Sequence, residues 1–276
     1  MTCKKPPNFP ATIFGSIGGL DFKNKPIICG GIQNGDFSNR CYSLNNNVWV
    51  STVSMNSARR NAAAVQLQDG RILVTGGNNG AYLKSAEMLT EQGWDSKIPS
   101  LPVTIAVHCV VPVNSTTVMV IGGLQNARLS GKTFYFTIGE ESWTEGPELK
   151  FKRMCHACGR VRRNSRSQGM SIIVVGGRNG SSSSISSVEV LDESSNEWET
   201  GPELPFGIDE TKMVEDQNGG VILIGGILSS NDLLLNLYQL PNAGRDAAWT
   251  MMEQKLKTGT FFPTALLVPD SVVDCS

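Results

Sequence analysis

Three observations predict an all-β fold in which one four-stranded unit is repeated along the 276 residues of the chain. A short apolar segment that ends in two glycines occurs five times. A tryptophan follows each glycine pair, and a second apolar segment lies between the pair and the tryptophan. The repeats are about 50 residues long, which is the length of a β-propeller blade of four short strands. The sequence therefore predicts a β-propeller.

The glycines and tryptophans hold the same place in every copy. The pairs end the segments PIICGG, RILVTGG, TVMVIGG, SIIVVGG and GVILIGG, at Gly31, Gly77, Gly123, Gly177 and Gly226. The tryptophans that follow are Trp49, Trp94, Trp143, Trp198 and Trp249. We expect each pair to turn beside the next blade, where a Cβ would clash. We expect each tryptophan to open the outer strand and to cover the contact between blades.

This order of apolar strand, Gly-Gly, apolar strand and Trp resembles the kelch repeat family from about Ala11 to Phe262. The tyrosine that often follows the glycine pair in that family occurs here in one copy only, at Tyr82. The resemblance implies a kelch-type β-propeller. Propellers of this family serve most often as protein-binding platforms and less often as enzymes.

Both ends of the chain carry strands that do not belong to a complete copy. The segment ATIFGSIGGLDF precedes the first glycine pair, and GTFFPTALLV and SVVDC follow the fifth tryptophan. SVVDC matches PIIC of the first copy, and TCKK near the N-terminus would add an outer strand. We therefore predict a single domain over residues 1–276 with six blades, the last shared by the two termini. Five blades with appended strands is the alternative.

The charge balance gives no reason to expect a polyanionic partner. The formal net charge is −1, which provides no overall attraction to nucleic acid or to an anionic membrane surface. No apolar run approaches the roughly 20 residues of a membrane span. We expect a monomer that binds protein, with no nucleic-acid partner and no membrane insertion.

The cysteines suggest covalent links at two places in the repeat. Cys29 and Cys41 lie on consecutive strands of the first copy, where antiparallel neighbours come within disulfide reach. Cys3 and Cys275 fall on the predicted closing blade and would join the two ends of the chain. The alternative is that all seven cysteines are buried free thiols.

Two Asn-x-Ser/Thr sequons begin at Asn114 and Asn179, in loops that we expect to be exposed. Exposure is required for N-glycosylation. Together with the paired cysteines they favour a secreted or extracellular glycoprotein, with the cytoplasm as the alternative.

The residues most suggestive of a metal site are His108, Cys109, Cys155, His156 and Cys158. The two histidines hold equivalent positions on adjacent inner strands, where ligands could converge. Inner strands of neighbouring blades diverge, however, so we predict a structural role, with no catalytic residue and no cofactor. A kelch-type metal-dependent, oxidase-like enzyme is the alternative.

Loops that follow the glycine pairs or lead into the next repeat predict a protein-binding surface. They are rich in arginine and aromatic residues, which carry much of the binding energy of interfaces. The candidates are Phe37, Arg59, Arg60, Tyr82, Arg128, Arg153 and Arg178. We therefore predict a non-enzymatic interaction module. An actin-binding protein and a ubiquitin-ligase adaptor are alternatives within this class.

Overall fold

The structure is a computed structural model that describes residues 7–164, 169–180, 183–192, 195–261, 263 and 265. All regular elements among these residues are strands, which confirms the predicted all-β fold. Within the described residues no helix could cross a membrane. The strands form two compact units, whose described parts are residues 7–106 and 107–265.

The first unit contains two four-stranded antiparallel sheets, ordered β2-β3-β6-β7 and β8-β9-β10-β11, and a small sheet ordered β1-β4-β5. Its strands are β1 (Ile13–Phe14), β2 (Ile17–Leu20), β3 (Pro26–Cys29), β4 (Ile32–Gln33), β5 (Asp36–Phe37), β6 (Cys41–Asn45), β7 (Val48–Thr52), β8 (Ala63–Gln66), β9 (Ile72–Thr75), β10 (Ala86–Thr90), β11 (Gly93–Asp95) and β12 (Ile105–Ala106).

The second unit contains three four-stranded sheets, ordered β13-β14-β17-β18, β19-β20-β21-β22 and β24-β25-β27-β28. Its strands are β13 (Cys109–Pro112), β14 (Thr117–Ile121), β15 (Leu124–Gln125), β16 (Arg128–Leu129), β17 (Thr133–Thr137), β18 (Thr144–Glu145), β19 (Ala157–Arg162), β20 (Met170–Val175), β21 (Val188–Asp192), β22 (Glu197–Thr200), β23 (Ile208–Asp209), β24 (Lys212–Glu215), β25 (Val221–Ile224), β26 (Ile227–Leu228), β27 (Asn236–Leu240) and β28 (Thr250–Lys255).

Each of the five sequence repeats forms one four-stranded sheet, which we call a blade and number 1 to 5 in chain order. The predicted closing blade falls mainly on residues 1–6 and 266–276, outside the described part of the chain. The count of six blades therefore stays a prediction, as does the single domain.

Strand β20 shows why a blade is apolar on both faces. Ile172 and Val174 belong to a buried cluster shared with blade 3, which includes Met119. Ile173 and Val175 belong to a different cluster, shared with blade 5. Because side chains alternate between the two faces of a strand, one continuous apolar run supplies both cores.

The second glycine of each pair joins its blade to the next repeat. The N–H of Gly177 donates to the carbonyl of Ile208 at 2.8 Å. The same bond, also at 2.8 Å, runs from Gly31 to Arg59, from Gly77 to Ile105, from Gly123 to Arg153 and from Gly226 to Thr260.

A side chain at this position would also be obstructed. The φ of Gly177 is +95°, and a Cβ there would lie 2.6 Å from the carbonyl oxygen of Met154. Backbone in this region is costly for residues with a Cβ, and the close carbonyl leaves no room for one. The predicted need for glycine is therefore confirmed.

A second set of backbone bonds joins neighbouring blades where each inner strand begins. Cys155 N–H donates to Val107 at 2.9 Å, and Glu210 N–H donates to Cys155 at 2.8 Å. These three residues all have left-handed backbone, with φ of 49° for Val107, 57° for Cys155 and 54° for Glu210. Because a valine in this region is strained, the surrounding bonds must hold it there.

Three of the tryptophans bridge successive blades, as the repeat predicts. Trp94 donates its indole N–H to Val53 at 3.1 Å, and Trp198 donates to Pro147 at 3.0 Å. Trp249 donates to Pro202 at 2.9 Å. Each acceptor lies four residues after the tryptophan of the preceding repeat, so the same bond recurs with the period of the sequence.

Candidate functional site

Phe37 is exposed beside a tight turn in the first unit. Strands β4 and β5 are joined by Asn34 and Gly35, whose φ values are 52° and 96°. An Asn-Gly pair with positive φ at both residues is the favoured two-residue hairpin turn. The Gln33 side chain donates to the carbonyl of Gly30 at 3.0 Å and fixes the base of the hairpin. The Phe37 side chain, 38% exposed, is thus held on a short, ordered loop.

Arg60 lies over the ring of Phe37. The guanidinium carbon is 5.4 Å from the ring centroid, within the range of a cation–π contact. The backbone of Asn78 bridges Arg60 on one side and Tyr82 on the other. Among the described residues, no carboxylate forms an ion pair with Arg60. We call Phe37, Arg60 and Tyr82 the loop patch.

The hairpin that carries Phe37 has a counterpart in the second unit. There β15 and β16 are joined by Asn126 and Ala127, with φ of 48° and 61°. Arg128, which takes the position of Asp36, is exposed as predicted, but Leu129 stands where Phe37 does. The second unit therefore repeats the hairpin without its aromatic residue.

Arg59 and Arg153 are not surface residues, contrary to prediction. Both side chains are 0% exposed. The guanidinium of Arg153 donates to Glu189 at 2.7 Å and to the carbonyls of Gly176 and Ser187, at 2.7 and 2.9 Å. A partner protein cannot reach either arginine, so both are removed from the predicted binding surface.

The same ion pair is built in two blades. In blade 2, Arg59 donates to Glu87 at 2.5 Å and to the carbonyl of Gly76 at 2.6 Å. Burial lowers the pKa of Arg153, and its contact with Glu189 acts in the opposite direction. A buried charge without its partner is strongly unfavourable, so each arginine and its glutamate depend on one another.

Arg178 is engaged rather than free. Its Nε donates to the fully buried carboxylate of Asp209 at 2.8 Å, and 32% of its side chain remains exposed. The Ser184 hydroxyl donates to the same carboxylate oxygen. The guanidinium of Arg178 thus neutralises an internal acid, and because part of its side chain is exposed, its role as a partner anchor stays a prediction.

Cys155 lies close to this acidic group but is not poised to react. Burial raises the pKa of its thiol to about 12, and Glu210 and Asp209 add to the effect. The thiolate is the reactive form of cysteine. At neutral pH Cys155 therefore stays protonated and is a poor nucleophile.

The five residues considered for a metal site do not form one. His108 and His156 are buried, and Cys109 and Cys158 form a disulfide. Burial lowers the pKa of His156 well below its usual value, and Arg153 and His108 add to this. Within the described part of the chain, no group of three or more His, Cys, Asp or Glu could hold a metal ion.

Two disulfides are present among the described residues. Cys29 and Cys41 are bonded across paired positions of β3 and β6, as predicted. The bond between Cys109 and Cys158 joins the innermost strands of blades 3 and 4 and was not predicted. The sequence does contain a sign of this bond. When the repeats are aligned, Cys109 and Cys158 differ by one position, so their side chains lie on opposite faces of their strands and can meet between the two blades. The predicted pair Cys3 and Cys275 lies outside the described residues.

Both sequon asparagines are exposed. In the turn between β13 and β14, the side-chain oxygen of Asn114 accepts from the N–H groups of Thr116 and Thr117, at 2.9 and 2.8 Å. Asn179 follows Arg178 on an exposed loop. The access that glycosylation requires is therefore present at both, while modification itself stays a prediction.

Comparison with known proteins supports the fold. Residues 160–205, which begin within β19 and cover the rest of blade 4, match the family model described as the Kelch motif. No curated protein sequence matches the chain. A solved structure titled "Structure of YjhT" aligns with a TM-score of 0.69 and 15% identity, covering 87% of this chain and 84% of that one. At this identity the likeness concerns the fold alone.

The buried ion pair leads to a stability prediction. Arg153→Ala leaves Glu189 charged and buried, so the free energy of unfolding should fall by about 3–5 kcal/mol. Arg128→Ala, in the same unit but exposed, should change it by less than about 0.5 kcal/mol. Urea unfolding followed by tryptophan fluorescence measures both. Equal, small effects would show that Arg153 has no structural role.

Proposed function

We propose that the chain is a kelch-repeat β-propeller that acts as a non-enzymatic module and binds another protein. The Kelch-motif match over residues 160–205 and the likeness in fold to a solved structure support the kelch-type fold. The observation that carries the proposal is the loop patch, where an exposed aromatic ring and an arginine lie together. Arginine and aromatic residues are the types most enriched among interface residues that dominate affinity.

The charge of Arg60 is available to a partner. Phe37 contacts its guanidinium, and no internal carboxylate neutralises it among the described residues. This distinguishes Arg60 from Arg59, whose charge is fully used inside blade 2.

The patch is also ordered before any partner binds. The two-residue turn at Asn34 and Gly35 fixes Phe37, and backbone bonds of 2.9 Å in both directions fix Arg60 against Asn78. Binding to an ordered surface costs less conformational entropy than binding to a flexible loop. The geometry thus favours recognition of a folded or extended protein partner.

We further propose that the protein works outside the cell or in an oxidising compartment. The disulfides Cys29–Cys41 and Cys109–Cys158 support this, because such bonds are rare in the reducing cytosol. Peptide mapping of protein from its native source, without reduction, should recover both pairs linked. Recovery of the four cysteines as separately alkylated thiols would contradict the proposed location.

The loop patch is tested by substitution. Phe37→Ala and Arg60→Ala should each weaken capture of the native partner by about 1–2 kcal/mol, because both remove anchor contacts. Affinity capture from the native source with mass spectrometry identifies the partner, and titration then measures the change. Thermal stability should be nearly unchanged.

Arg71→Ala is the matched control. Arg71 is partly exposed in the same unit, pairs with Asp69 at 2.6 Å, and lies at the other end of blade 2. Capture should not depend on it. Loss of capture in Arg71→Ala, with binding intact in the two patch variants, would contradict the proposed binding surface.

A further inference from the structure

Residues 150–152, Lys-Phe-Lys, present an exposed aromatic ring between two lysines in the second unit. Phe151 is 50% exposed, which is more than Phe37. Lys150 and Lys152 are also exposed, and neither forms an ion pair among the described residues. An apolar ring and two uncompensated charges therefore share one short segment.

Hydrogen bonds to a buried glutamate fix the backbone of this segment. Lys150 and Phe151 donate their N–H groups to the two oxygens of Glu189, at 2.7 and 3.2 Å. Leu149 N–H donates to Gly131 at 2.9 Å. Since Glu189 is itself bound by the buried Arg153, the segment is anchored to the interior while its side chains point away from that anchor.

Blade 2 contains the same support with different side chains. There Asn56 and Ser57 donate their N–H groups to the two oxygens of Glu87, at 2.6 and 2.9 Å. Residues 56–58 are Asn-Ser-Ala, so this backbone arrangement forms without an aromatic residue or a lysine. The side chains of residues 150–152 are therefore not needed to build the loop.

We propose that residues 150–152 are a docking site for an acidic protein segment in which an apolar side chain lies between carboxylates. The ring of Phe151 offers apolar area to be buried on binding, and the two ammonium groups complement carboxylates on either side. A polyanion fits less well, because only two cations are present here and the chain carries a net charge of −1.

This inference rests on the proposed binding role and adds the chemistry of a partner. It concerns residues of the second unit, whereas the loop patch lies in the first unit. The anchored backbone keeps the ordering cost of docking low. The side-chain entropy of the lysines is the main cost that remains.

Fluorescence anisotropy of labelled peptides with the full chain tests the proposal. The probes are Asp-Glu-Leu-Glu-Asp, the same peptide with glycine for leucine, and Lys-Lys-Leu-Lys-Lys. The leucine-containing acidic peptide should bind saturably, the glycine form about fivefold or more weakly, and the basic peptide not at all.

The repeat supplies matched variants. Lys150→Asn, Phe151→Ser and Lys152→Ala together give blade 4 the residues of blade 2 and keep the N–H bonds to Glu189. This variant should keep the melting temperature of the wild type and lose about tenfold or more of its peptide affinity. Adding Asn56→Lys, Ser57→Phe and Ala58→Lys to that variant should restore binding.

Absent binding of the acidic peptide, or equal binding by the triple variant, would overturn the proposal. So would loss of affinity on lysine substitution alone, with Phe151→Ser unaffected and a short single-stranded DNA competing, since that indicates a polyanion site. Phe37→Ala and Arg60→Ala should leave peptide binding unchanged. The two proposals can therefore fail separately: the loop patch fails if its variants still capture the native partner, and the docking site fails if the acidic peptide does not bind.

Discussion

The hydrogen bond from the second glycine of each pair to the start of the next repeat is the constraint on which the rest of each unit depends. At Gly31, Gly77, Gly177 and Gly226 the backbone approach is so close that a Cβ would lie less than 3.0 Å from a carbonyl oxygen, so that only glycine fits. In two places this hydrogen bond also positions an arginine that contacts the following glycine pair. Gly123 donates to the carbonyl of Arg153, and the guanidinium of Arg153 donates in turn to the carbonyl of Gly176. One glycine pair is thereby connected to the next through a buried arginine, and the glutamate neutralises the charge of that arginine.

The surfaces proposed for binding follow from these same links. The hairpin that carries Phe37 begins directly after Gly31, whose N–H is fixed to the carbonyl of Arg59. Glu189, which holds residues 150–152, is itself held by Arg153. Side chains outside the blades therefore stand on backbone that the inter-repeat contacts have already ordered. Such preorganisation reduces the entropy lost on binding and allows small groups of residues to contribute measurable affinity.

The sequence predicts the repeat because its signals are local and recur. A glycine pair or a tryptophan has the same neighbours in every copy, and the Cys29–Cys41 pairing likewise follows from adjacent strands. The burial of Arg59 and Arg153 could not be predicted from such local signals. Their loop position predicts exposure, whereas their burial depends on glutamates 28 and 36 residues later, Glu87 and Glu189. The shared order of Arg, then Ser-x-Glu, is the signal that would have revealed them.

The most direct test of the glycine constraint compares two substitutions at glycines with similar backbone. Gly139 has a φ of +99° and no atom within 4 Å of the place that a Cβ would take, whereas Gly177 has a φ of +95° and the Met154 oxygen 2.6 Å away. Gly139→Ala should lower the free energy of unfolding by about 1–2 kcal/mol through backbone strain alone. Gly177→Ala should lower it by about 1–3 kcal/mol more, because the packed backbone must move. Equal losses, measured by urea unfolding, would contradict the account.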